Sequence, residues 1–271
     1  MKIKDVLFIT VTTVVILGLN LTPLILQFKH APFGRTFGLI HNNVQDFYFY
    51  QSLMNEGAQG AWLTSNPYTS ETHPPTVIFA YFVWLGNLSK TLGFSFALTY
   101  HTLRIIFSII FLILAFKLIL YLKTPYPKLA YLFFLFAAPF MHKIPDGVKI
   151  VSVPYMYWWT AVDPIRRAAY LPHHMLAGIL LIVIVIILLN FIKKQNPSLM
   201  FLAILLSLPL ALVHPPSILI LLITLPSSMI VFFLQNFKKV TTGFLKPKYQ
   251  MFSYLLLFWV INVILVFVIA S

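Results

Sequence analysis

The chain has 271 residues, of which 60% are apolar and 9% charged, and its mean hydropathy is +0.89. Soluble globular domains are about 45–50% apolar and about 25% charged, so the composition excludes that class, and it excludes a disordered chain as well. The absence of cysteine excludes disulfides and thiolate metal sites. The net charge of +13 comes from 19 basic residues, clustered in short stretches between long apolar runs. That pattern indicates a membrane protein rather than a nucleic-acid-binding one.

The apolar runs predict an all-α, polytopic membrane protein that forms a single integral membrane domain over residues 1–271. A helix needs about 20 apolar residues to cross the hydrocarbon layer, which is about 30 Å thick. About seven transmembrane helices meet or approach this length, the third being short. Since consecutive prolines cannot continue a helix, the run 199–235 is divided by a turn at His214-Pro215-Pro216. The predicted spans are 6–27, 105–122, 127–143, 175–192, 199–213, 217–235 and 251–270.

The positions of lysine and arginine predict a multi-pass plasma-membrane protein with a cytoplasmic N-terminus. The predicted inner loops hold ten basic residues and the outer segments hold eight, and the inner loops are the short ones, in which the charge rule has force. Two outer loops follow, 28–96 and 142–174. The stretch 77–92 is predicted to be a helix in the interface, because Gly86, Asn87 and Lys90 interrupt it. If it crossed the membrane instead, every later span would be inverted.

Groups that exchange protons near neutral pH gather on the predicted outer face. Five of the six acidic residues lie in the two outer loops, and all eight histidines lie in these loops or at the outer helix ends. Loops are polar in most membrane proteins, so this bias alone does not define a site. The inner loops are polar without such groups, which favours a functional outer face.

Asp46 is the candidate catalytic residue of the first outer loop. It follows the first span and precedes the aromatic run Phe47-Tyr-Phe-Tyr50, which suits the membrane interface. Partial desolvation there would make its carboxylate a better base at neutral pH. The alternative is an ordinary helix cap, since aspartate is a favoured capping residue.

The second outer loop contains Arg166, Arg167, His173 and His174 close to a predicted helix start. Guanidinium groups bind phosphate oxygens in a bidentate fork, so these residues are candidates for holding a phosphate. The alternative is contact with lipid headgroups. A metal pair of the two histidines is disfavoured, because adjacent helical positions point about 100° apart. The aromatic cluster 155–159 suits either sugar stacking or an interfacial belt.

Taken together, the order of these features resembles the GT-C glycosyltransferase superfamily. The resemblance is greatest to the branch that contains dolichyl-phosphate-mannose protein mannosyltransferases and lipid A aminoarabinose transferases. It rests on an anchor helix, Asp46, His73-Pro74-Pro75, Leu92-Gly-Phe-Ser95 and Arg104, and it covers residues 1–125 best. Many members have an Asp-Glu pair where this chain has Asp46-Phe47. Members are usually longer, so a fragment or a minimal relative is expected.

The resemblance implies transfer of a sugar from a polyprenyl-phosphate donor to an acceptor at the outer face, with inversion. In that case Asp46 is the base, and the substrate-binding residues are His73, Arg104, Arg166, Arg167, His173 and His174. A divalent metal cofactor is left open. The expected partners are the lipid-linked donor and membrane lipids, with no nucleic acid. The alternatives are a transporter or flippase for a lipid-linked or anionic substrate, and a noncatalytic truncated relative.

Overall fold

The computed structural model describes residues 2–35, 37–65, 71–137, 141–154, 163–241 and 246–270. The chain is 74% helix and 6% strand, which confirms a mainly helical protein. The described elements are α1 (Ile3–Lys29), α2 (Val44–Ala58), α3 (Ala80–Leu92), α4 (Phe96–Tyr121), α5 (Pro127–Phe136), β1 (Met141–Asp146), β2 (Lys149–Pro154), α6 (Pro164–Arg167), α7 (Pro172–Lys194), α8 (Pro197–Val213), α9 (Pro215–Thr241) and α10 (Lys246–Ala270).

Four of these helices are long and apolar enough to cross a membrane: Ile3–Lys29, Phe96–Tyr121, Pro172–Lys194 and Met251–Ile269. Shorter apolar helices occupy Pro127–Phe136, Pro197–Val213 and Pro215–Val231. The four long helices coincide with predicted spans, while the predicted total of seven is not confirmed. Helix α3 has 13 residues. At 1.5 Å per residue it is about 20 Å long, shorter than the hydrocarbon layer.

The chain divides into two compact units, residues 1–61 with 82–175 and residues 62–81 with 176–271. In the first unit, α1 and α4 are antiparallel neighbours. The rings of Phe8 and Phe116 lie 5.6 Å apart. Twelve residues later in α1, Asn20 accepts a hydrogen bond from Arg104, which lies twelve residues before Phe116 in α4. Tyr131 of α5 packs against the same pair, because its hydroxyl donates to the Leu112 carbonyl at 3.2 Å.

The predicted span 127–143 is not a single helix, which corrects that span and adds a short hairpin to a mainly helical protein. Helix α5 ends at Phe136, and the chain then forms the antiparallel hairpin of β1 and β2, with Met141 paired to Pro154 and Asp146 to Lys149. The sequence places Pro139 three residues after Phe136. A proline cannot donate the hydrogen bond that a continuing helix requires, so the apolar run ends too soon to cross.

Helices α2 and α3 cross at backbone contact. A Cβ atom added to Gly57 would lie 1.8 Å from the Val83 carbonyl oxygen, and one added to Gly86 would lie 1.8 Å from the Met54 carbonyl oxygen. Each helix therefore contributes the one residue without a side chain at the point where the other helix approaches. This crossing fixes α2, and with it Asp46.

In the second unit, α10 packs against α8 and α9. Helix α8 ends at Val213 and α9 begins at Pro215, which confirms the predicted turn at His214. The His214 Nδ1 atom lies 2.7 Å from the Ser217 hydroxyl. Trp259 donates from its indole to the Leu222 carbonyl at 2.9 Å, so α10 is tied to α9 by a polar contact inside an apolar core.

Candidate functional site

Arg104 is the centre of the candidate site. It lies in the third turn of α4, and its side chain has 0% exposure. Its Nη1 nitrogen lies 2.7 Å from Asn20 Oδ1, 2.7 Å from the Ala169 carbonyl oxygen and 3.0 Å from His41 Nε2, so its two N–H groups serve three acceptors and one of them is shared. These acceptors come from α1, from the segment after α6 and from the loop before α2. One edge of the guanidinium is therefore fully occupied.

The other edge of the same guanidinium is not. Within the described part of the chain, Arg104 Nε and Nη2 are buried and have no hydrogen-bond partner. None of the three groups that its Nη1 atom contacts carries a negative charge. A buried charge without a counter-ion costs several kcal/mol, on the order of the loss from breaking a buried ion pair. An arginine left in this state is poised to take an anion in bidentate fashion.

A pocket of about 360 Å³ opens beside Arg104. It lies toward the C-terminal end of α1, whose residues line one wall at helical spacing. Both apolar and polar side chains surround it, as expected for a ligand with a charged head and a hydrocarbon part. The lining residues are Leu19, Asn20, Pro23, Leu24, Gln27, Ile40, His41, Asn42, Arg104, Asp163, Ile165 and Arg166.

Two of the predicted phosphate-binding residues, Arg104 and Arg166, therefore meet in one pocket. The carboxylate that accompanies them is Asp163. Its Oδ1 accepts from the backbone N–H groups of Ile165 and Arg166, both at 2.9 Å, and so caps α6. Its Oδ2 lies 3.9 Å from Arg166 Nε. Two guanidinium groups against one carboxylate leave the pocket with an excess of one positive charge.

His41 contacts Arg104 as an uncharged group. Burial, together with the positive charges of Arg104, His101 and Arg166, lowers the pKa of His41 from 6.5 to about 2. The imidazole is neutral at physiological pH, which fits its role as acceptor of the Arg104 hydrogen bond. Its neighbour Asn42 has an Oδ1 atom that is buried and lacks a donor among the described residues. The pocket thus offers both unpaired donors and an unpaired acceptor.

Asp46 lies in the first turn of α2, three residues after Asn43, whose side chain caps the helix. The negative charge of its carboxylate affects the pKa values of two tyrosines. Burial raises the pKa of Tyr50 and of Tyr170, and the nearby Asp46 charge raises both further. For Tyr170 a hydrogen bond from Asn42 works in the opposite direction. Asp46 is thus one helical turn from Asn42 but is not among the described residues that line the pocket.

Arg167 has a structural position that the sequence did not indicate. Its Nη2 donates to the carbonyls of Phe134, Leu135 and Ala137 at 3.1, 3.3 and 2.6 Å. These carbonyls end α5 and have no intrahelical partners. Burial lowers the pKa of Arg167, and Asp163 opposes this shift. Arg167 therefore caps α5 and orients α6, while its neighbour Arg166 faces the pocket.

The two adjacent histidines pack among aromatic rings. His173 is buried, with ring centroids 5.7 Å from Tyr50 and 5.1 Å from Phe82. The His174 ring lies 4.8 Å from Tyr170. These contacts place both histidines on the side of Asp46 and its tyrosines rather than in the lining of the Arg104 pocket. The predicted aromatic cluster 155–159 lies outside the described residues.

His73 belongs to the second unit, where its Nδ1 lies 3.1 Å from the Pro74 carbonyl oxygen in an exposed segment. In the part of the chain that the structure describes, no three His, Asp or Glu side chains form a group that could hold a metal ion. The divalent metal considered from the sequence stays untested.

Sequence reasoning named only Arg104 and Arg166 among the lining residues, and the missed residues that contact Arg104 or carry charge are Asn20, His41 and Asp163. Asn20 carried a usable signal, because an amide inside an apolar span is expensive unless it is hydrogen-bonded. His41 and Asp163 carried none beyond their residue type. The contribution of His41 depends on its contact with Arg104, 63 residues further along the chain, and that of Asp163 on the pocket that it lines.

Comparisons with protein-family models, curated proteins and solved structures find no match to this chain. Its function has to be inferred from the pocket and from the residues that line it.

Proposed function

We propose that this protein is a membrane transferase that takes a sugar from a polyprenyl-phosphate donor, with the donor phosphate bound between Arg104 and Arg166. One observation carries the proposal: Arg104, which is among the residues that line a pocket, is fully buried and has two nitrogens, Nε and Nη2, without partners among the described residues. A phosphate accepts two parallel hydrogen bonds from that edge of a guanidinium.

The charge of the pocket favours a singly charged ligand. Arg104 and Arg166 supply two positive charges and Asp163 supplies one negative charge. A phosphodiester, with one negative charge, balances the excess, whereas a diphosphate would leave negative charge uncompensated. The Asn42 Oδ1 atom adds an acceptor without a donor, which suits a hydroxyl group.

The location of the pocket fits a lipid donor. Asn20, Pro23, Leu24 and Gln27 of α1 line it, so it lies at the end of a candidate span that is opposite to the N-terminus. A prenyl chain would contact the apolar part of α1 while its phosphate reached the arginines. We place this end on the outer face, with the N-terminus in the cytoplasm, in agreement with the predicted distribution of basic residues.

In the proposed reaction an acceptor hydroxyl oxygen attacks the anomeric carbon, and the bond from that carbon to the phosphate oxygen breaks. The electron pair of the broken bond goes to the phosphate, where Arg104 and Arg166 stabilise the added charge. The acceptor proton goes to a carboxylate acting as base. Asp46 remains the proposed base, and Asp163, which lines the pocket, is the carboxylate to compare it with.

Asn20→Asp is the decisive variant. It places a carboxylate 2.7 Å from Arg104 Nη1 without removing any pocket residue but the amide itself. The proposal predicts at least tenfold weaker binding of farnesyl methyl phosphodiester in detergent micelles, because the new charge neutralises the cation that the phosphate needs. The buried arginine gains a counter-ion, while the hydrogen bond from Asn20 Nδ2 to the Ile165 carbonyl at 3.3 Å is lost, so thermal stability should change little. Asn20→Leu is the matched control for loss of the amide.

Two results would reject the proposal. One is unchanged phosphodiester affinity in Asn20→Asp, and the other is equal affinity of the wild-type protein for farnesol.

Transfer is tested with farnesyl-phosphoryl sugar in proteoliposomes, comparing Asp46→Asn with Asp163→Asn. Loss of product with retained donor binding identifies the base. Donor hydrolysis or transfer that survives in both variants would remove both carboxylates from the mechanism.

A second candidate, a transporter for a lipid-linked or anionic substrate, is favoured by one observation. Helix α5 has only 10 residues, and Arg167 of another segment caps its last carbonyls. Discontinuous helices line the sites of many transporters, but no residue of α5 is among those that line the Arg104 pocket. Movement of the intact phosphodiester across a proteoliposome membrane without a glycosylated product would favour this candidate over transfer.

A further inference from the structure

His41 is the only acceptor on Arg104 Nη1, among the three described, that comes from an ionisable side chain. Its Nε2 accepts from Arg104 at 3.0 Å, so the ring proton is on Nδ1. That Nδ1 lies 3.1 Å from the Tyr100 hydroxyl oxygen and donates to it. Tyr100 and Arg104 are one turn apart on α4, so His41 is held at both of its nitrogens by the same helix.

The loop that carries His41 is held in a strained conformation. Leu39 and Asn42 have φ angles of 53° and 62°, in the left-handed region that non-glycine residues rarely adopt. At Leu39 this conformation costs about 1–2 kcal/mol and persists only where surrounding contacts impose it, whereas asparagine adopts it more readily. Here His101 Nε2 donates to the Leu39 carbonyl at 2.8 Å, and His41 bonds Arg104 and Tyr100. The strain therefore serves to bring the imidazole against the guanidinium.

The surroundings of His41 keep it uncharged. Tyr100, His101 and Arg104 face it from α4, and Arg166 faces it from α6. The ring centroids of His41 and His101 are 5.8 Å apart. Adding a proton to His41 would place a third positive charge beside two arginines and would abolish its acceptor lone pair. His41 is thus unsuited to bind the phosphate as a cation.

We infer that His41 is a positioning residue: its neutral imidazole fixes the Nη1 edge of Arg104 and so presents the Nε and Nη2 edge to the ligand phosphate. The inference rests on the proposed function, because it needs a phosphate at Arg104. It assigns the orientation of the Arg104 guanidinium to His41, a residue of the loop before α2 rather than of the membrane helices. Together with Asn20 and the Ala169 carbonyl, His41 restricts rotation of the guanidinium, which would misalign the bidentate fork.

Three variants test this inference, with farnesyl methyl phosphodiester in detergent micelles as the probe. His41→Gln keeps an acceptor for Arg104 and a donor for Tyr100, so its affinity should stay within about threefold of wild type. His41→Leu removes both and should bind about tenfold more weakly, the equivalent of one hydrogen bond to a charged group. His41→Lys adds a cation and should bind more weakly than His41→Leu, because it repels Arg104 and cannot accept.

The lysine variant separates positioning from simple attraction. If His41 acted through positive charge, His41→Lys would bind the anion more tightly than wild type, and that result would overturn the inference. Equal affinity of the leucine and glutamine variants would also overturn it. Circular dichroism melting curves accompany each measurement. A lowered melting temperature then identifies a loss of affinity that is caused by unfolding. The comparison of His41→Gln with wild type still tests whether an uncharged acceptor restores the affinity.

The pH profile supplies a further readout. The probe carries one negative charge from pH 5 to 8, and His41→Gln has no ionisable group at this position. The profiles of wild type and His41→Gln should therefore be parallel, whereas a drop or rise near pH 6.5 in wild type alone would contradict a neutral His41. If Asn20→Asp weakens binding and His41→Leu does not, only the positioning role fails. If neither variant weakens it, the proposed function fails too.

Discussion

Two regions of the first unit handle buried backbone and buried charge in opposite ways. At the crossing of α2 and α3, Gly57 and Gly86 let carbonyl groups approach so closely that no side chain atom fits. At the pocket, Arg104 is equally buried, yet three of its five N–H donors lack partners among the described residues. The first region is filled to the limit of packing, and the second keeps unsatisfied groups beside open space.

The difference indicates which region is scaffold and which is site. Changes at the crossing should alter stability, and ligand affinity should change only because less of the protein is folded. Changes at the pocket should alter ligand affinity and leave stability nearly constant or improve it. Natural proteins leave buried polar groups unpaired mainly where a ligand completes them.

The largest expected effect is at the crossing. Gly86→Ala would place a Cβ atom 1.8 Å from the Met54 carbonyl oxygen, so the two helices must separate. We expect the free energy of unfolding to fall by about 3 kcal/mol, at the upper end of overpacking effects. Chemical denaturation in detergent measures it. The matched control is Gly18→Ala in α1, where nothing lies within 4 Å of the added Cβ. A stability loss equal in both variants would show that the crossing has no special status.

A smaller effect is expected at Arg167, which tests whether an arginine next to the pocket belongs to the scaffold. Arg167→Met removes the hydrogen bonds to the Phe134, Leu135 and Ala137 carbonyls. Unfolding free energy should fall by about 2 kcal/mol, the scale of hydrogen bonds made by a charged group. Arg166→Met, whose side chain is 64% exposed, should change stability by less than about 0.5 kcal/mol and weaken phosphodiester binding. The opposite assignment of the two effects would contradict the roles given to these neighbours.

The smallest expected effect is the pH dependence of stability that comes from His41, a residue of the pocket. The folded protein keeps His41 neutral, with a pKa of about 2, while the unfolded chain takes up a proton near pH 6.5. Stability from this group is therefore present above pH 6.5 and is lost as the pH falls below it, by at most about 1.4 kcal/mol per pH unit. Melting curves of wild type and His41→Gln between pH 7.5 and 5 measure the difference. A wild-type curve no steeper than that of the variant would show that His41 gains its proton in the folded state.

The long apolar helices could be predicted because hydropathy and length are local properties. Helices α1, α4 and α7 and the turn at His214 follow from apolar runs and prolines. The same reasoning failed at α5, because an apolar run of nearly sufficient length is ended by prolines and continued as a hairpin. Whether a short run crosses a membrane depends on what satisfies its last carbonyls. Here that partner is Arg167, some 30 residues away.

The candidate site could be predicted only in part. Arg104 was identifiable from the family resemblance of residues 1–125, and Arg166 because guanidinium groups near a helix start suit a phosphate. That Arg167 would be used as a cap while Arg166 faced the pocket could not be read from two identical neighbouring residues. Asn20 offered only the general signal of an amide inside an apolar run, and His41 offered none. Both residues matter because they accept hydrogen bonds from the Nη1 nitrogen of Arg104, and this contact joins side chains from three separate segments.

The most direct measurement is an experimental structure of the protein with farnesyl methyl phosphodiester bound in lipid nanodiscs. The account predicts phosphate oxygens within hydrogen-bond distance of Arg104 Nε and Nη2, with Arg166 on the same phosphate and the prenyl chain along α1. A phosphate bound elsewhere, with the free edge of Arg104 satisfied by water or by another part of the chain, would contradict it.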